Sequence, residues 1–191
     1  DAREFLDKKA LKSLVDLDGT LHGVLETVLA EVMAREVVHE VYQPRLDELD
    51  VPTMLVSGLG MSKERIPMTI KGGSMPKLLL DAQLIGHIHR NAVSNACKYG
   101  KEGGKVQTFL EFDSANQIFR LEVINEPGFG HESLMAMGDS ASEFVFAQGV
   151  RLQPHMKGKT EKKLDSSGDG AWIMQKCAKT LKGECQIYFT A

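Results

Sequence analysis

At 191 residues the chain accommodates one domain with an appendage, or two very small domains. Apolar side chains make up 42% of it, and 23 basic residues stand against 26 acidic ones for a net charge of −3. That balance excludes a general nucleic-acid binder, which would carry a basic excess, and so ordinary an apolar fraction excludes a disordered tail. No apolar run approaches the ~20 residues that cross a bilayer, and no signal peptide is visible, so no membrane partner is expected for this stretch. Because it opens on Asp1 rather than Met, the chain reads as a piece of a longer protein. Its three cysteines, Cys97, Cys177 and Cys185, cannot all pair, and none has metal-ligand spacing. Free thiols fit the cytoplasm or another reducing intracellular compartment.

Residues 1–47 read as a helical appendage. Leu6, Leu11, Leu14 and Val15 form a short apolar stripe, and Asp18-Gly19 marks a break. From Thr20, the positions Leu21, Val24, Leu25, Val28, Leu29, Val32, Val38 and Val41 recur at spacings of three and four, a long amphipathic helix ending before Pro44. The stripe packs either on its own domain or on a partner, including a second copy. From 48 to 191 the pattern is that of an α/β domain. Short β-type runs at 53–57 and 66–71 precede a helix over 81–99. Strands at 106–112 and 118–124, joined by Ser114-Ala115-Asn116-Gln117, come next. A stretch rich in Gly, Ser and Lys follows, with a helical piece at 133–137. A helix over 170–181 and a last strand over 185–190 complete the order, for an expected mixed sheet of five strands with the two longer helices on one face.

The helix over 81–99 carries the most informative side chains. Asn91 and Asn95 are four apart and share one face, with Lys98 one turn beyond and His87 one turn before. Amide carbonyl oxygens suit Mg²⁺, a hard cation that keeps several waters, and Lys98 would neutralise phosphate oxygens on the same ion. An exposed polar helix face has the same spacing. The six histidines make no metal cluster; His87 and His89 point to different helix faces.

The run Asn91-Ala-Val-Ser-Asn95-Ala-Cys-Lys98-Tyr99-Gly100 closely resembles the N box of sensor histidine kinases in the GHKL ATPase superfamily. Asp81-Ala-Gln-Leu-Ile-Gly-His87 resembles the approach to that helix. Leu121-Glu-Val-Ile-Asn125-Glu126-Pro127-Gly128-Phe-Gly130 stands where the family has two strands ending in an acidic residue and glycines. Ser167-Gly168-Asp-Gly170-Ala-Trp-Ile-Met-Gln-Lys176 resembles a glycine box, and Leu181-Lys-Gly183-Glu the passage into a last strand. The likeness spans nearly three quarters of the chain, from about 51 to 190. It implies an α+β fold, a two-layer α/β sandwich of the GHKL (Bergerat) type with a mixed sheet, preceded by N-terminal helices. By the same resemblance Asn91 and Asn95 hold Mg²⁺ and the triphosphate of ATP, Lys98 contacts phosphate, and Tyr99 borders the nucleotide. Gly168 and Gly170 offer backbone N–H groups to the phosphates at a helix N-terminus. Residues 131–167 form the lid over the nucleotide.

The family's adenine box, D-x-G-x-G, is altered. Strand parity places Phe119, Leu121 and Val123 on the core face and Asn125 after them, so Asn125 takes the Asp role with its side-chain carbonyl as acceptor. That frame sets Pro127 where the first glycine belongs and removes a backbone donor, with Gly128 following. The other frame, Glu126-Pro-Gly128-Phe-Gly130, keeps both glycines but needs a twisted strand end. Because an amide also donates, Asn125 facing guanine O6 stays open.

Chaperone and mismatch-repair members hydrolyse ATP with a Glu one turn before the second Asn; here Asn91 stands there and cannot act as a base at neutral pH. Phosphoryl transfer to a protein histidine fits better, with Asn91 and Lys98 at the transfer site. His39-Glu40-Val-Tyr-Gln-Pro44 resembles a phosphoacceptor box, but the 52 residues from His39 to Asn91 leave no room for a second hairpin helix of about 20 residues. The reading is an ATP-binding, Mg-dependent histidine-kinase-like domain, with a homodimer through the N-terminal helices and a phosphoacceptor or response regulator as protein partner. Two alternatives stand beside it: a degenerate member that binds nucleotide or a partner without kinase activity, and a non-enzymatic α/β interaction domain.

Overall fold

The structure, a computed structural model, describes residues 2–60, 64–128, 130–150 and 168–189. The chain divides into two compact units, Asp1–Tyr42 and Gln43–Ala191.

The first unit is one helix, α1 (Ala2–Val38). Asp18-Gly19 does not break it, contrary to expectation. A helical glycine costs only about 1 kcal/mol, and Thr20 Oγ1 bonds back to the Asp16 carbonyl at 2.8 Å within the same helical turn. The helix ends before Pro44, as expected. The stop comes earlier, where Glu40 takes a left-handed φ of 60° and the Val41 and Tyr42 N–H groups return to the Glu36 carbonyl. Leu11, Leu14, Leu21, Leu25, Val28 and Val32 are all exposed.

In the second unit β1 (Asp47–Leu49) pairs antiparallel with β3 (Leu78–Leu80). A second sheet has the order β2-β4-β5. There β2 (Met68–Lys71) runs parallel to β4 (Val106–Asp113), and β4 antiparallel to β5 (Ile118–Asn125). The sheet is therefore mixed, as expected, although the five strands among the described residues fall into two sheets. Residues 53–57, expected as a strand, lie in α2 (Val51–Gly58). Asp50 caps it, accepting from Thr53 N at 3.2 Å and Thr53 Oγ1 at 2.9 Å. Pro52 fits the first turn, and buried Val51 and Leu55 are four apart, so capping and helical spacing outweigh the β-type composition.

Residues 185–189 form no strand, and Thr190 lies outside the described residues. Cys185, Ile187 and Phe189 are half-buried and alternate with exposed Gln186 and Tyr188, as in a strand. The Ile187 backbone, however, gives both its polar groups to one hydroxyl: Ser142 Oγ accepts from Ile187 N at 3.0 Å and donates to Ile187 O at 3.0 Å.

Helix α3 (Ala82–Tyr99) packs on β4, β5 and α2, and against α6 (Gly170–Thr180). Two short helices, α4 (His131–Ala136) and α5 (Ser140–Val145), lie between β5 and α6 in the chain. Asp81 fixes the start of α3: its Oδ1 accepts from Gln83 N and Leu84 N, both at 2.9 Å, and its Oδ2 accepts from Arg45 N at 2.7 Å. Val51, Leu55, Leu78 and Leu110 form one core cluster, joined by Phe119 and Leu121. Ile66, Val93, Ala96 and Val106 form another, joined by Val123. The inward series Phe119, Leu121, Val123 thus runs along β5 as parity requires.

Candidate functional site

A cleft of about 1150 Å³ opens beside α3 and the end of β5. From α3 it is lined by Asn91, Asn95, Lys98 and Tyr99, which the 3.6-residue turn sets along one side. Asn125 and Gly128 line it from the end of β5, and Gly168 and Gly170 from the start of α6. All eight residues singled out in the sequence therefore border one cavity. Apolar Ile88, Leu121, Val123 and Met174 also line it.

Asn91 is aimed by its own helix. Its Nδ2 donates to the His87 carbonyl at 3.0 Å, which leaves Oδ1 as the end presented outward. A Cβ on Gly170 would lie 2.9 Å from that oxygen, so glycine is what leaves space there. An amide oxygen held this way beside a helix N-terminus is a hard donor suited to Mg²⁺ and to the phosphates it carries. Gly168 has φ +82°, a left-handed conformation that favours glycine. Asp169 does not cap α6; its Oδ1 accepts from Gly149 N at 3.2 Å instead. Lys98 Nζ lies 5.3 Å from the Tyr99 ring centroid, within cation–π range.

At the β5 end of the cleft, Asn125 and Glu126 part company. Asn125 lines the cleft; Glu126 does not. The Glu126 carboxylate accepts from Lys105 N at 3.3 Å and pairs with Lys101 Nζ at 3.4 Å. Those partners hold it below the usual carboxylate range, the Lys105 backbone bond contributing most. Pro127 lines the cleft, and a Cβ on Gly128 would collide with the Tyr99 carbonyl oxygen and the Gly100 backbone. Gly128 is thus required by close approach of two backbones.

His87 is not a solvated surface residue. It is half-buried, and its Nε2 is buried with no hydrogen-bond partner among the described residues. Burial, and then the Arg90 charge, lower its pKa to about 4, so it is neutral at pH 7. His89 is buried against Thr108, Nε2 to Oγ1 3.0 Å, and is likewise lowered to about 4. Burial also raises Cys177 to about 12 and Cys185 to about 11, so both stay protonated thiols.

Gly100 closes the N-box-like run with no role assigned to it by that motif. A Cβ there would lie 2.5 Å from the Ala96 carbonyl and 2.8 Å from Asn125 Nδ2. A glycine directly after a helix is a detectable signal, but its usual meaning is a helix stop, not room for a side chain from another strand.

No family model matches this sequence, and no curated protein does. Among solved structures, the catalytic domain of histidine kinase ThkA, in a nucleotide-free form, covers 71% of this chain and 80% of its own at 18% identity, with a TM-score of 0.48. The Acinetobacter baumannii histidine kinase AdeS covers 92% of this chain and 75% of its own at 17% identity, with a TM-score of 0.52. Through the likeness to AdeS, the chain shares the fold of a histidine kinase, the fold that its sequence motifs resemble.

Proposed function

We propose that residues 48–191 form a nucleotide-binding, histidine-kinase-like catalytic domain that binds Mg–ATP and transfers its terminal phosphoryl group to a protein histidine. The observation that carries this reading is the convergence of Asn91, Asn95, Lys98, Tyr99, Gly168 and Gly170 on one cleft. Asn91 and Asn95 would hold Mg²⁺ through their amide oxygens, and the bound ion would neutralise charge on the phosphate oxygens. The Lys98 ammonium meets phosphate directly. The first N–H groups of α6, made approachable by Gly168 and Gly170, receive the remaining negative charge. Asn125 and Tyr99 take the base. With Asn91 in place of a carboxylate base, the site holds and orients the phosphoryl group without activating water for hydrolysis.

Residues 1–47 are proposed as a separate appendage whose exposed stripe, Leu11 to Val32, brings two copies together. The acceptor histidine and a response regulator are then supplied by a protein partner. A second reading, a degenerate domain that binds nucleotide without transferring phosphate, is favoured by Asn125 and Pro127 in the base pocket.

Calorimetric titration of the chain with Mg–ATP tests the proposal. Saturable binding is expected, lost in Asn95→Ala with an unchanged melting curve. Binding by Asn95→Ala equal to that of the parent would refute the site.

A further inference from the structure

We infer that the exposed stripe of α1 is the seam of an antiparallel pair of two copies of this chain, in the register that sets Asp18 of each copy against Arg35 of the other. The inference rests on the self-association proposed above for residues 1–47 and deepens it by fixing the direction and register of the pair.

From Asp18 the spacing alternates three and four without interruption through Leu21, Leu25, Val28 and Val32 to Arg35. That is the periodicity of a coiled-coil seam. It runs along one unbroken helix, because Asp18-Gly19 leaves α1 continuous. All six positions are exposed, the four apolar ones at 49–62%. Val24 and Leu29 widen the stripe at its centre and are exposed as well. The buried residues of the same helix, Met33, Ala34 and Val37, fall on its other side at 100° per residue. A contiguous apolar face of this length marks contact with another surface.

The two charged positions decide what that surface is and which way it runs. They stand at the two ends of the six-residue seam and carry opposite signs. A two-fold axis crossing the helix between residues 26 and 27 exchanges 18 with 35, 21 with 32 and 25 with 28. Four apolar layers, Leu21 against Val32 and Leu25 against Val28, each twice, are then closed at both ends by an Asp18–Arg35 pair. The seam is complementary to itself, as a two-fold interface between identical chains requires, and this singles out a second copy over an unrelated helix. A parallel copy in register would bury Leu11 and Leu14 as well. It would, however, stack Asp18 on Asp18 and Arg35 on Arg35, and set Glu31 against Glu36 along both rims. Like charges facing each other across an interface are strongly unfavourable. In the antiparallel pair the two Arg35 positions lie roughly 26 Å apart along the axis, so the segments that follow α1 leave from opposite ends.

Sedimentation equilibrium of the full 191-residue chain reads the pair directly. A concentration-dependent dimer is expected, and Leu25→Glu should leave a monomer. Asp18→Arg sets like charges against each other at both ends of an antiparallel seam and should raise the dissociation constant about tenfold or more. Arg35→Asp should do the same, and the two changes together should return it to within about threefold of the parent. That recovery also excludes unfolding as the cause of the loss. In a parallel pair each single reversal exchanges one like-charge layer for another and changes nothing. A parent dimer that Leu25→Glu dissociates but the single reversals leave intact overturns the antiparallel inference alone, as does a double variant no tighter than the singles. A monomeric parent, or a dimer that survives Leu25→Glu, removes the self-association reading itself and the inference with it.

Discussion

The two ends of the cleft are built differently. At the α3 end, the chain after the helix and the chain after β5 are laced by two backbone bonds, Lys101 N to Glu126 O and Glu126 N to Lys105 O, and Gly128 packs so close to the Tyr99 carbonyl that no Cβ fits between them. At the other rim, residues 184–189 have a strand's alternation but no ladder. They are held by Ser142 on Ile187, by the Tyr188 phenol on Glu122 at 2.8 Å, and by the T-shaped contact of the Phe189 and His131 rings. Alternation decides which side chains face inward; only an adjacent strand converts it into a sheet. Backbone lacing makes the first end a rigid seat, whereas the second depends on a few side-chain bonds.

The largest effect should come from breaking the laced end. Gly128→Val forces side-chain atoms into the Tyr99 and Gly100 backbone and should cost at least about 3 kcal/mol, close to unfolding a marginal domain. Urea denaturation measures it, and a loss under about 1 kcal/mol would mean that the two backbones separate easily.

Acid should weaken the α3 side next. His87 and His89 are both held near 4 in the folded chain, below the ordinary 6.5. A depressed histidine favours folding above its unfolded pKa, and that advantage is lost as pH falls from 6.5 toward 4, where the unfolded chain takes up protons first. The loss should be on the order of 3 kcal/mol for each histidine, followed as melting temperature against pH. His89→Gln should flatten part of the slope; a parent whose stability is level from pH 7 to 4 would contradict the assignment.

The smallest effect sharpens the contrast. Ser142→Ala removes the hydroxyl that serves both Ile187 groups and should cost only about 1 kcal/mol globally. Hydrogen exchange at Ile187 should nonetheless accelerate strongly while the amides of Lys101 and Glu126 stay as slow as before. Acceleration at both ends together would show that the cleft opens as one piece.

Much of the laced end was legible in the sequence. Asp81 before an apolar-periodic run announced the start of α3, the runs 106–112 and 118–124 announced β4 and β5, and the period of two in the second gave its inward residues Phe119, Leu121 and Val123. The side of the strand on which Asn125 falls followed from that parity. What Glu126 does did not, because its partners, Lys105 N and Lys101 Nζ, come from a loop whose path no periodicity records. Residues 53–57 misled because Thr, Val and Leu suit a strand, whereas the decisive signal, Asp50 three residues before Thr53 with Pro52 between, lay outside the apolar run. The 18–19 break misled because a glycine weakens a helix without ending it. In 185–189 the pattern of faces was correct and the ladder absent, since a partner strand leaves no mark on the segment that lacks it.

The bond from Asn91 Nδ2 to the His87 carbonyl has a thermodynamic consequence beyond geometry. A surface asparagine samples several rotamers, and a ligand that engages it must arrest that motion, at a cost of about 0.5–1.5 kcal/mol per immobilised side chain. Here the arrest happens when α3 folds, and the freedom is surrendered before any ligand arrives. Under the proposed function, an incoming cation or phosphate would meet an oxygen that has already stopped moving. The favourable free energy of that contact would then go into affinity rather than into ordering the side chain.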